Sequence, residues 1–249
     1  MEYFWYCYIF IIGSIVGSFL NVCICRIPLK ESIVTGRSHC TKCGHVLTFR
    51  EMIPILSYLF LKGKCKNCKA PISLQYPLIE LANAVLYLLA VLRYGFTFYA
   101  LLLCIFSSVL LVTAGIDFHT MEIPNVLSVW ISGLAILHII LFPSFFKEGL
   151  IGIFLLSVPM LLLSLLTNGF GGGDIKFCAA CGFFLGYQLV LLGFFFACLV
   201  ASVFGCFQLA RKKADRKTAF AFGPYLAAGF LVSALFGNQI LSAYFALFH

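Results

Sequence analysis

Charge is scarce in this chain: Asp, Glu, Lys and Arg make up 10% of its 249 residues, against about 25% in ordinary soluble domains. So few charges cannot cover a globule of this size, and a soluble fold is excluded. Acids are scarcest, nine in all, of which three are Asp. Lys and Arg are missing from the first 25 residues. With Glu2 and aromatics where a secretory leader would carry a basic segment, the first apolar run is expected to be retained. No internal repeat or low-complexity linker is present, and the composition also excludes disorder, collagen and a secreted disulfide scaffold.

What the chain has instead is apolar bulk: 62% hydrophobic residues, 28 of them Phe, and a mean hydropathy of +1.05. Its solvent is lipid. A helix needs about 20 apolar residues to cross the hydrocarbon, and the candidates are residues 3–25, 77–92, 97–116, 126–142, 150–166, 175–210 and 222–247. The sixth stretch is too long for one comfortable span. Gly182, Gly186, Tyr187 and Gln188 lie where a turn would divide it.

Charge decides between the two readings, because Lys and Arg of short loops stay in the cytoplasm. Nine of them lie between Arg26 and Lys69. If the sixth stretch holds two spans, Lys176 and the cluster Arg211, Lys212, Lys213, Arg216 and Lys217 join them, giving 15 basic residues inside and 2 outside. With one span the split is 10 to 7. The fold expected is therefore an all-α polytopic membrane protein of about eight transmembrane helices, with both termini outside. Residues 1–25 form the first span, 26–76 a cytoplasmic loop and 77–249 a transmembrane core. The net charge of +8 is accounted for by loops beside anionic membrane lipid, so no nucleic-acid partner is expected.

Four of the twelve Cys form Cys40-Thr-Lys-Cys43 and Cys65-Lys-Asn-Cys68, with 21 residues between the pairs. Two such pairs supply four thiolates to one tetrahedral zinc, and Gly44 suits the tight turn after the first pair. A closed four-thiolate site has no position for substrate, so this zinc is expected to fold the loop and not to perform chemistry. His39 and His45 are alternative ligands. Cys178-Ala-Ala-Cys181 has the same spacing but lies in an apolar run, where Cys serves as a small hydrophobe.

Catalysis must come from elsewhere. Asp215 sits among Lys213, Arg216 and Lys217, the setting of a charge-balanced loop. Asp117 ends the third span and Asp174 follows the fifth, so two carboxylates 57 positions apart return to one membrane face. Each has a structural use of its own, as a helix terminus or an N-cap. Together, two carboxylates in a low-dielectric site share one proton and titrate as a unit. The ionised member can take a proton from water while the protonated member donates toward a scissile carbonyl. Gly171, Gly172 and Gly173, which precede Asp174, would let an extended substrate backbone approach it. His119 and Glu122 flank Asp117 and fit polar residues of the boundary.

The residues Gly17-Ser-Phe-Leu-Asn21-Val-Cys-Ile-Cys-Arg26-Ile-Pro28, the two cysteine pairs, Ile53-Pro54-Ile-Leu-Ser57-Tyr58, Tyr76-Pro77-Leu-Ile-Glu80, Asp117 with Ile123-Pro124-Asn125, Gly171-Gly-Gly-Asp174-Ile-Lys176 and Phe222-Gly223-Pro224-Tyr225 run in order over nearly the whole chain. In this it resembles the type IV prepilin peptidases, bacterial membrane aspartic proteases. The resemblance implies cleavage after a glycine, on the cytoplasmic side of the inner membrane, between the short basic leader and the apolar helix of a prepilin or pseudopilin. Asp117 and Asp174 would be its catalytic pair. It also admits a second activity, methylation of the new N-terminus from S-adenosylmethionine, and points for it to Gly17, Asn21, Arg26 and Glu80. The same four have plainer uses: close helix packing, interhelical hydrogen bonding, a topology anchor, and a partner for a basic residue of the loop. The residue ahead of Phe222-Gly223-Pro224 is not the proline usual in the family, a difference of loop geometry and not of catalysis.

Two other readings compete. Presenilin-type proteases also carry Gly-x-Gly-Asp, but they expect Tyr before the other Asp, where this chain has Ile116, and they lack the cysteine loop. An ion- or proton-coupled transporter would use the two aspartates as a conduction site.

Overall fold

The computed structural model describes residues 2–167, 171–210 and 221–247. Asp215 and the basic cluster around it lie outside the described residues. Among those described, eight helices have fourteen residues or more: α1 (Glu2–Arg26), α3 (Gln75–Tyr94), α4 (Phe98–Thr120), α5 (Asn125–Leu141), α6 (Phe146–Thr167), α7 (Gly172–Leu185), α8 (Tyr187–Ala210) and α9 (Gly223–Ala246). A short α2 (Leu56–Phe60) lies in the loop after α1. Six of the eight are long and apolar enough to cross a membrane; α5, with 17 residues, and α7, with 14, are shorter. The protein is a multi-pass membrane protein.

Each helix closes where its sequence permits. Gly95 caps α3 with φ +66. The long sixth stretch divides at Gly186, whose φ of +80 ends α7 immediately before α8 begins. Only glycine takes that backbone region cheaply. Pro159 sits inside α6, a position that lipid-embedded helices tolerate.

The chain forms two compact units, residues 1–112 and 113–249, divided within α4. In the first, α1 packs along α3. Lipid gives no hydrophobic drive to helix association, so small residues and hydrogen bonds must supply it. Asn83 of α3 donates to the Gly13 carbonyl at 2.7 Å, and its own Oδ1 accepts from Ser108 of α4 at 2.9 Å. Trp5 and Tyr6 meet Phe96 beyond the other end of α3, a grouping typical of a membrane–water interface.

In the second unit α7 packs against α5 and α6, and α8 against α9. A Cβ on Gly182 would land on the Gly152 carbonyl, and one on Gly229 on the Gly193 carbonyl. Phe177, Phe184 and Phe230 fill the interior. The packing of α7 on α5 and α6 holds the first turn of α7 beside the turn that joins α4 to α5, where Gly173 meets Ile123.

Candidate active site

Asp117 lies in the last turn of α4 and is buried, with 3% of its surface exposed. The chain turns just beyond it. The Met121 N–H donates to the Asp117 carbonyl at 2.9 Å, Met121 adopts φ +55, and Thr120 Oγ1 donates to the Ile116 carbonyl at 3.0 Å. Pro124 then leads into α5. The side-chain Oδ2 of Asp117 accepts the backbone N–H of Gly223, 106 positions away, at 2.7 Å.

Asp174 occupies the first turn of α7, three residues after the N-cap Gly171, and is half-buried. Its carboxyl reaches back to the Gly171 N–H and lies within electrostatic reach of Asp117. A carboxylate in the first helical turn is favoured by the free N–H groups and the dipole there. The structure therefore brings together the two aspartates singled out in the sequence.

The three glycines differ in their surroundings. A Cβ on Gly171 would sit 3.3 Å from Asp174 Oδ2, and one on Gly173 would sit 3.1 Å from the Ile123 carbonyl, while Gly172 has no heavy atom within 4 Å of that position. Gly173 thus serves the packing of α7 on the Met121–Pro124 turn, and Gly172 faces open space. At the rim, Lys176 Nζ donates to Asn125 Oδ1 at 3.1 Å and joins the starts of α7 and α5. His119 and Glu122 are exposed.

In the first unit, Gly17, Asn21 and Glu80 lie together on the α1–α3 seam. A Cβ on Gly17 would sit 2.7 Å from Glu80 Cα. Asn21 donates from Nδ2 to the carbonyls of Gly17 at 3.3 Å and Tyr76 at 3.1 Å, and its Oδ1 is buried without a partner. Glu80 accepts not from a basic residue but from the Ile55 backbone N–H, at 2.7 Å, and so holds Ile55 at φ +62. Arg26 turns to the loop, donating to the carbonyls of Ser32 at 2.9 Å and Thr35 at 2.8 Å.

The four sulfurs of Cys40, Cys43, Cys65 and Cys68 lie within 4.8 Å of one another, and no other such cluster occurs among the described residues. Cys40 Sγ is 3.8 Å from Cys68 Sγ, and Cys43 Sγ is 4.0 Å from Cys65 Sγ. A tetrahedron with zinc–sulfur bonds of about 2.3 Å has edges of about 3.8 Å, so the cluster has the dimensions of a metal site. The two halves are built alike. Gly44 N–H donates to the Cys40 carbonyl at 2.9 Å and Lys69 N–H to the Cys65 carbonyl at 3.0 Å, with φ +68 at Gly44 and +58 at Lys69. The backbone N–H groups of Lys42 and then Cys43 pull the Cys40 thiol down to about 6. Against the Ala70 N–H, desolvation and the neighbouring thiols push Cys68 up to about 11. Four sulfurs in contact cannot all carry charge unless a cation joins them. His45 instead faces Glu51 at 3.3 Å, and His39 Nδ1 lies 3.3 Å from the Arg37 carbonyl.

The Gly223 partner of Asp117, the Lys176–Asn125 contact and the Ile55 backbone partner of Glu80 are not legible in the sequence as such. The one legible trace of the first was Gly223-Pro224 at a helix start. Comparison with known proteins bears on the whole chain. The model of the bacterial peptidase A24 N-terminal domain matches residues 11–94, and that of the type IV leader peptidase family matches residues 104–206. The prepilin leader peptidase/N-methyltransferase of Bacillus subtilis is 38% identical over 238 residues, which cover 95% of this chain and 96% of that protein. Its namesake in Pseudomonas aeruginosa is 34% identical over 265 residues, covering 94% and 91%. That of Myxococcus xanthus is 34% identical over 211 residues, covering 81% and 62%. No solved structure gives a significant match.

Proposed function

The chain belongs to the type IV leader peptidase family, and on that premise we propose that it removes the leader of type IV prepilins or pseudopilins, cleaving after glycine, with Asp117 and Asp174 as the catalytic pair. The observation that carries this reading is the placement of the two carboxylates, one buried at the end of α4 and one in the first turn of α7, within electrostatic reach of each other.

Two carboxylates so placed hold one proton between them. The ionised one takes a proton from a water, which attacks the scissile carbonyl, while the protonated one donates to the carbonyl oxygen; as the peptide bond breaks, the proton taken from water passes to the leaving amine and the other carboxylate recovers its proton from the tetrahedral hydroxyl. The open space beside Gly172 leaves room for an extended substrate backbone next to Asp174. A substrate whose apolar helix already lies in lipid would slide laterally to this depth, leader in the cytoplasm. The charge count supports the orientation, with the cysteine loop and both aspartates on the cytoplasmic side of the bacterial inner membrane and both termini outside.

Cys40, Cys43, Cys65 and Cys68 would hold a structural zinc, which would fold residues 26–76 and take no part in hydrolysis. Methyl transfer from S-adenosylmethionine is proposed from the names of the relatives. Gly17, Asn21, Arg26 and Glu80 remain the residues proposed for it; in the structure Gly17, Asn21 and Glu80 build a tight helix seam and Arg26 holds loop carbonyls.

The test uses the purified full chain in detergent with a prepilin substrate, read by mass spectrometry. A cut after the leader glycine, followed by the mass of one methyl group on the new N-terminus when S-adenosylmethionine is supplied, is expected. Cleavage at unrelated positions contradicts the peptidase reading, and cleavage without the methyl increment contradicts the second activity alone.

A further inference from the structure

The start of α9 is built around one backbone donor. An α-helix leaves its first N–H groups without intrahelical partners. Here the N-cap is Phe222, Gly223 is the first helical residue, Pro224 has no N–H, and the N–H groups of Tyr225 and Leu226 both donate to the Phe222 carbonyl at 3.1 Å. The Gly223 N–H alone remains, and it donates to Asp117 Oδ2 at 2.7 Å in a buried setting. That length is at the short end of the N–H···O range. The helix axis adds its positive end at the same point.

The position also excludes any side chain. A Cβ on Gly223 would lie 2.7 Å from Asp117 Oδ2 and 2.9 Å from both Cβ and Cγ of Asp117. The carboxylate is thus held by contact as well as by the hydrogen bond. With one acceptor site of Oδ2 taken by the Gly223 N–H, Oδ1 is the oxygen with both acceptor sites left for water or the shared proton.

We infer that Gly223 is a positioning residue for the peptidase centre, its backbone N–H and close approach fixing the rotamer of the buried Asp117 carboxylate for the reaction. This rests on the reading of Asp117 and Asp174 as the catalytic pair. Gly223 acts through Asp117, the residue its N–H holds. Geometry of this kind is expressed in turnover, since displacement of a catalytic group by about 1 Å can cost roughly 100-fold in rate.

The experiment measures kcat and KM on a prepilin substrate for the full chain carrying Gly223→Ala, a backbone amide-to-ester replacement at Gly223, Gly229→Ala, Asp117→Asn or Asp174→Asn. The ester removes the N–H without adding a side chain, so it decides the matter if Gly223→Ala does not fold. Gly229→Ala, on the same helix as Gly223, introduces a clash against Gly193 and Ala197 of α8 and is expected to lower thermal stability while the folded fraction keeps its kcat. For Gly223→Ala and the ester, kcat falls by about 10- to 100-fold with KM unchanged. A folded Gly223→Ala or ester enzyme with the kcat of the parent overturns the inference while the inactive Asp variants leave the dyad standing. Full cleavage by Asp117→Asn removes the dyad reading and this inference with it.

Discussion

Gly17 and Glu80 set the distance between α1 and α3: a Cβ on Gly17 would lie 2.7 Å from Glu80 Cα and 3.2 Å from the Glu80 carbonyl, both backbone atoms that cannot swing aside. Gly17→Ala must therefore spread the two helices, at about 1–3 kcal/mol for overpacking. Gly133→Ala, where no heavy atom lies within 4 Å of the added carbon, serves as the neutral control. Unfolding in mixed micelles is expected to show a large shift for the first and none for the second. Equal shifts would contradict the seam geometry.

The neighbouring glycines of the Asp174 turn separate in the same way. Gly172→Ala adds a methyl group to open space, so it leaves thermal stability unchanged and acts on substrate approach, raising KM. Gly173→Ala presses on the Ile123 backbone at 3.1 Å and lowers kcat by displacing the turn that follows Asp117. Steady-state cleavage of a prepilin substrate distinguishes the two. Identical kinetic effects would contradict the division of roles.

Much of this was legible from residues alone, and the reasons differ by scale. The helices followed from the lengths of the apolar runs, and the break at Gly186 from a run too long for one span. Asp117 and Asp174 stood out because carboxylates at a lipid boundary are few and costly. What escaped depends on tertiary approach. Glu80 bonds to the Ile55 backbone and not to a Lys or Arg, because the fold of a loop residue at positive φ decides which donor arrives. Gly223 meets Asp117 across 106 positions, and no periodicity encodes such a pair. Among the glycines before Asp174, sequence gives one flexible triplet; only packing against Ile123 separates Gly173 from Gly172.

The cysteine cluster makes a metal prediction. The full chain is expected to bind one zinc ion, and Cys65→Ser, which alters the one buried member of the four, is expected to abolish stoichiometric binding by elemental analysis and to expose residues 26–76 to protease. Chelation of the parent protein should do the same. Retention of the metal by Cys65→Ser would contradict a closed four-thiolate site.

Glu51 gives the loop a pH dependence of its own. The Thr48 N–H at 2.8 Å, then the Thr48 hydroxyl and then His45 hold its carboxyl down to about 2 from an ordinary 4.5. A depressed folded value contributes stability that is complete above the unfolded value and is lost as pH falls through the folded one. Exchange protection of the Thr48 amide is therefore expected to decline from about pH 4.5 toward 2. Glu51→Gln should weaken that protection at neutral pH and remove its further acid-side loss. An acid-side loss that survives in Glu51→Gln would assign it to another group.

The most direct test of the account is leader removal in cells co-expressing a prepilin panel with the parent protein, Asp117→Asn, Asp174→Asn or Asp215→Asn, followed by gel shift and N-terminal sequencing of the product. Cleavage after glycine is expected from the parent and from Asp215→Asn, and none from the other two although both reach the membrane folded. Normal processing by folded Asp117→Asn or Asp174→Asn would contradict the catalytic pair and leave the two carboxylates to an ion- or proton-conducting role.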